Sequence, residues 1–100
     1  MIAPKIKIED AMDVAYHWDN LMPTMAMEES GELIQAISKL ERLLRSDDYM
    51  PIEKFEECKE NLIKEMRDMY ISLAALTVHY VIHPNVIQAA IDEKLNKKYC

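Results

Sequence analysis

Two short runs of acids stand out by their spacing. Glu28, Glu29 and Glu32 form one, and Glu65 and Asp68 form the other, each containing a pair three positions apart. On a helix, residues three apart share a face. At about 100° per residue with Glu29 at zero, Glu32 falls at about 300°, Ala36 at about 340° and Leu40 at about 20°. Leu33 and Leu44 follow at about 40° and 60°. With Glu65 at zero, Asp68 falls at about 300°, Ser72 at about 340°, Leu76 at about 20° and Met69 at about 40°. Both acidic pairs therefore lie in apolar stripes. Arg67 falls at about 200°, and Arg42 likewise points away from Glu29. Each helix is expected to turn two carboxylates inward and its nearest cations outward.

Unpaired carboxylates in a low-dielectric interior are costly, and converging ones repel one another toward protonation. A bound cation removes both problems, and an all-oxygen donor set selects a hard ion, Mg²⁺ or Mn²⁺. The plainer alternative is a wet end of a bundle where the acids are simply solvated. That serves for any single glutamate, but it is a poorer account of two matched pairs on the core faces of neighbouring helices. A carboxylate-bridged di-iron site would need Glu-x-x-His on two helices, and no Glu in the chain has His three positions later. His79 and His83 are four apart, but Pro84 follows and no third ligand is near, so zinc is not expected. His17 reads as structural or exposed, and the eight methionines as adaptable core filling.

The elements that must position these acids are helical. The chain has 100 residues, one Gly and four Pro, half of its residues are hydrophobic, and no strand-like alternation appears. A first helix is expected from about Ile8 to His17, broken at Asn20 to Pro23. Thr24 would cap a long second helix reaching about Arg45, with Leu33, Ile37, Leu40 and Leu44 at helical spacing. Ser46, Asp47, Asp48 and Pro51 mark a turn. A third helix would run from about Ile52 to Tyr80 and, after His83, a fourth from about Pro84 to Lys97. Ile87, Ala90, Ile91 and Leu95 share one face of the fourth. The expected fold is one all-α domain over residues 1–100, a bundle of about four helices. Two long antiparallel helices carry the acidic site and the flanking helices pack on them.

The segments EESGELIQAISK and EMRDMYISL resemble the EE-x-GEL and E-x-x-D helices of the MazG-like all-α NTP pyrophosphohydrolases. The resemblance extends from about Trp18 to Lys98. It implies a Mg²⁺-dependent enzyme that cleaves NTPs or dNTPs between the α- and β-phosphates, releasing a monophosphate and pyrophosphate. It implies Glu29, Glu32, Glu65 and Asp68 as metal ligands, with Glu28 orienting a ligand or the attacking water. EKLNKKY also looks like the family's lysine-bearing segment, so Lys94 is a candidate phosphate contact, with Lys97 and Lys98 beside it. A solvated helix C-terminus is the competing account of these lysines. Trp18, just before the acidic helix, could stack on a base or serve in the core.

The net charge of −6 argues against a nucleic-acid partner and against adsorption to anionic membranes. The longest apolar stretch, ISLAALTVHYVI, has 12 residues, too few to cross a bilayer. The N-terminal segment lacks an apolar signal core, and Cys58 and Cys100 fit neither a disulfide framework nor a zinc pattern. A cytoplasmic protein with free thiols is expected. A short chain with long helices has reason to form a homodimer or homotetramer, as the resemblance also implies. Two non-catalytic readings compete with the hydrolase: a helical oligomerisation module and a nucleotide sensor that has kept the fold.

Overall fold

A computed structural model describes residues 2–46 and 50–97. Among the described residues four α-helices form: α1 (Ile8–Trp18), α2 (Met22–Leu44), α3 (Ile52–His79) and α4 (Pro84–Asn96). The described residues contain no strand. Asp47 and Asp48 of the expected turn lie outside them, as does Cys100. Cys58 is a half-buried free thiol.

The helices approach where the sequence places alanine. The buried apolar residues are Ala11, Ala15, Ala26, Ala36, Ala75 and Met22. A methyl side chain lets two backbones come close, and Met22 fills the remaining gap with a flexible stem. Ala15, Met22, Ala26 and Ala75 form one cluster, flanked by Val14, Trp18, Met25, Leu76 and Val78. The main contact is between α2 and α3, and α1 packs chiefly on α3. Met22 and Ala26 meet Ala75, Ser30 meets Met69, and Lys39 borders the segment from Lys54 to Lys64. Rising numbers on α2 thus match falling numbers on α3, so the two helices are antiparallel.

The junction between α1 and α2 is tighter than expected. A 3-10 turn, Asp19–Leu21, links them directly. Asp19 takes a positive φ of 45° and donates its N–H to the carbonyl of Ala15, which closes α1. Thr24 does not cap α2. The helix starts at Met22 and accommodates Pro23 in its first turn, where no intrahelical N–H bond is lost.

Only three helices pack as a bundle, not the four expected. The chain bends by 118° between α3 and α4. Val81 sits at the bend with a φ of 55°, an uncommon conformation for a β-branched residue. His83 opens α4 by accepting the Asn85 N–H on Nδ1 at 3.1 Å. Every described residue of α4 is exposed, including Ile87, Ala90, Ile91 and Leu95, whose shared face was expected to pack inward. The helix has a stripe but no surface of its own bundle beneath it. Among the described residues, no single helix is long and apolar enough to cross a membrane.

Ala75 is fully buried where α3 meets both α1 and α2. Ala75→Leu should therefore lower the unfolding free energy by about 1–3 kcal/mol through overpacking. Urea unfolding followed by circular dichroism checks this, and an unchanged midpoint would contradict the close helix approach.

Candidate metal centre

Glu29 lies one helical turn beyond Ala26, so the tight α2–α3 contact carries it toward α3. Ser30 helps to hold that spacing. Its hydroxyl donates to the Ala26 carbonyl at 2.8 Å and lies 3.4 Å from the sulfur of Met69. Across the gap, Glu65 and Asp68 project from the middle of α3. Each of Glu29, Glu65 and Asp68 offers a carboxylate oxygen within 4.8 Å of the others. A hard cation with ligands at about 2.1 Å accepts oxygens up to about 4.2 Å apart, so small side-chain rotations bring the three into range.

Two observations separate this cluster from a solvated acidic surface. Oε2 of Glu29 and Oε2 of Glu65 are shut off from solvent and meet no hydrogen-bond donor among the described residues. Buried oxygens are normally satisfied, and a proton, an ordered water or a cation would each answer these two. Both glutamates also hold their protons more tightly than usual. Burial pushes the Glu29 carboxyl above its ordinary 4.5, reinforced by the charges of Glu32, Asp68 and Glu65. Burial likewise raises Glu65, followed by the charge of Glu32, a shared hydrogen bond with it, and the charge of Asp68. The three carboxylates make an all-oxygen donor set, the kind that suits a hard divalent cation.

The four expected ligands are not equivalent. Glu29, Glu65 and Asp68 converge. Glu32 is exposed at the edge, yet close enough to share a hydrogen bond with either Glu29 or Glu65. Glu28 is exposed on α2 beside Glu29. One cation does reach the cluster, contrary to the expectation from the helical wheel. Arg67 leaves the backbone pointing outward, but its long side chain folds back and Nε pairs with Asp68 Oδ1 at 2.9 Å. Asp68 is the largest influence holding the Arg67 guanidinium above its usual pKa.

Glu29 and Asp68 open into a cavity of about 230 Å³. Val14 and Trp18 of α1, Met22 and Met25 of α2, and Ile71 and Ser72 of α3 form its walls. Trp18 thus has both expected roles at once, packing on the core cluster and walling the cavity. Met25 and Ile71 were not singled out from the sequence. Ser72 was legible, since it shares the wheel sector of Glu65 and Asp68.

The lysines expected to meet phosphate are not brought to this cavity. Lys94 and Lys97 are exposed on α4, and Lys97 pairs with Glu93 on its own helix at 3.1 Å. Lys98 lies outside the described residues. No α4 lysine figures among the charges acting on Glu29 or Glu65. No family model, curated protein or solved structure matches the chain.

A carboxyl whose pKa is raised by folding takes up its proton more readily in the folded state, so protonation favours the fold. In EDTA, Glu29 and Glu65 should oppose folding at neutral pH. That opposition should relax as the pH falls through their raised pKa values and vanish below 4.5. The Glu29→Gln/Glu65→Gln double variant should thus melt above the parent at pH 7 in EDTA, the gap closing on acidification. A gap independent of pH contradicts the electrostatic account. Arg67→Gln removes the cation that pairs with Asp68. Exposed pairs of this kind are weak, so Mn²⁺ should bind up to about fivefold more tightly to the variant. Calorimetric titration decides this, and weaker binding would contradict the competition.

Proposed function

We propose that the chain is a Mg²⁺-dependent nucleoside triphosphate pyrophosphohydrolase, with Mn²⁺ as a substitute ion. It splits an NTP or dNTP between the α- and β-phosphates to give the monophosphate and pyrophosphate. The observation that supports this reading best is the meeting of Glu29, Glu65 and Asp68 across α2 and α3, where two buried oxygens meet no donor among the described residues. These are the positions at which the sequence resembles the MazG-like pattern.

In this proposal Glu29, Glu65 and Asp68 hold the metal, and Glu32 at the rim joins them or holds a further ion that arrives with the substrate. Mg²⁺ supplies charge neutralisation and Lewis acidity toward the polyphosphate. Glu28, exposed and next to a ligand, orients the water whose oxygen adds to phosphorus as the bridging P–O bond breaks. A carboxylate not engaged by metal takes the water's proton. Trp18 and the apolar wall of the cavity receive the base. Lys94, Lys97 and Lys98 contact phosphate only if α4 swings inward or serves a neighbouring molecule. A cytoplasmic location belongs to the same proposal.

The exposed position of Lys94 on α4 favours the non-catalytic alternative, a helical oligomerisation or nucleotide-sensing module. Pyrophosphate release from a panel of NTPs and dNTPs with Mg²⁺ separates the two. The parent should turn over, whereas Asp68→Asn and Glu65→Gln should each lose on the order of 10²-fold or more in kcat, as expected when a preorganised electrostatic partner is removed. Nucleotide binding without turnover would establish the sensor instead.

A further inference from the structure

A second cavity, of about 400 Å³, lies between the C-terminal half of α2 and the N-terminal half of α3. It is larger than the cavity of about 230 Å³ beside the acids and shares no lining residue with it. Lys39 lies ten residues past Glu29, and Lys54 eleven before Glu65. Each is thus about 15 Å along its helix from the carboxylate cluster, away from α1. At about 280° from Glu29, Lys39 shares a side of the helix pair with Lys64 and Glu57, at about 260° and 280° from Glu65. Further along α3 the same side carries Ile71, Ala75 and Val78, at about 240°, 280° and 220°, and there α1 covers it. Beyond α1 the cavity stands open.

Its lining is chemically unlike the rest of the surface. Lys39, Lys54 and Lys64 line it together with Asn61. Elsewhere Arg45 pairs with Glu41, Arg67 with Asp68 and Lys97 with Glu93. Among the described residues none of the three cavity lysines has an ion pair. Lys64 even forgoes Glu60, four positions before it, although Glu ahead of Lys at that spacing is the favoured order. Lys39 has no acid three or four positions away. Glu57 and Glu60 also line the cavity and are likewise unpaired. The lining is net positive, although the chain as a whole carries −6.

Each group limits the ligand. Three ammonium groups and the Asn61 amide offer donors to an oxyanion of more than one charge, and lysine serves phosphate as a point charge. The lysines repel a metal ion. Ionised Glu57 and Glu60 only accept hydrogen bonds and repel a bare anion, so a ligand that meets them must bring donors of its own. Hydroxyl groups next to a phosphate supply these. A cavity of this volume lies in the range of small-molecule sites.

We propose that this cavity binds a small phosphomonoester bearing hydroxyl groups. Lys39, Lys54 and Lys64 hold its phosphate, and Glu57 and Glu60 accept from its hydroxyls. Cys58, half-buried in the same lining, is covered by the bound molecule. The site is separate from the carboxylate cluster and stands whether or not the chain hydrolyses nucleotides.

Ribose 5-phosphate is a suitable probe, titrated at low salt into isotope-labelled protein in EDTA, so that no metal ion contributes. Amide shifts should saturate, with a Kd of about 1 mM or tighter, and centre on Lys39, Lys54, Asn61 and Lys64. Inorganic phosphate should bind more weakly. Lys39→Met/Lys64→Met keeps the exposed stems and should weaken the sugar phosphate by about tenfold or more. Glu57→Gln/Glu60→Gln should bring the two probes closer in affinity. In the parent, ribose 5-phosphate should slow alkylation of Cys58, read by peptide mass spectrometry. Shifts that do not saturate, or that centre on Trp18, Glu29 and Asp68, overturn the proposal. So do a lysine variant that binds as the parent does and inorganic phosphate that binds as tightly as the sugar phosphate.

Discussion

Two buried carboxylate oxygens, one on Glu29 and one on Glu65, meet no hydrogen-bond donor among the described residues. Like charges would normally push such helices apart or draw their side chains out into water. The close contacts around Ala26 and Ala75, together with Ser30 against Met69, oppose that separation. Alanine thus sets how closely the acids of the two helices approach. Larger residues at those positions would space the helices more widely and let water reach the acids.

The third helix decides which way the cluster opens. The Asp19 turn sets α1 against α3 and brings Trp18 beside Glu29 and Asp68. One side of the acidic pair therefore gains an apolar wall and a cavity, and with it the low-dielectric surroundings in which a bound cation acts strongly. The opposite side of α2 and α3 keeps its isoleucines, methionines and leucines uncovered. Among the described residues Met22 is the one large side chain that is fully buried, so the chain has little core of its own and leaves much apolar surface exposed.

Much of this arrangement was legible in the residues. The three-residue spacing of Glu29 with Glu32 and of Glu65 with Asp68, measured against the leucine stripes, points both pairs inward; Glu29, Glu65 and Asp68 do converge, while Glu32 stays exposed at the edge. Helical periodicity likewise located all four helices within a few residues. What periodicity did not reveal was what α4 packs on. A stripe of Ile87, Ile91 and Leu95 says that a helix has an apolar face, not whether its own protomer or another molecule meets it. The bend at Val81 carries no turn signature, since a β-branched residue rarely takes positive φ. Arg67 was misread for a related reason. A wheel gives the direction of Cβ, while a long side chain can return across its own helix to reach Asp68.

The central claim is that the inward carboxylates form one cation site between α2 and α3. Paramagnetic Mn²⁺, added in small increments to isotope-labelled protein, tests it directly, because broadening of amide resonances falls steeply with distance from the ion. The account predicts early broadening centred on Glu29, Glu65 and Asp68, reaching Trp18 and Ser72, and reversed by excess Mg²⁺. Broadening centred instead on the exposed acids at the start of α3, Glu53, Glu56 and Glu57, or spread evenly over the acidic surface, would contradict it.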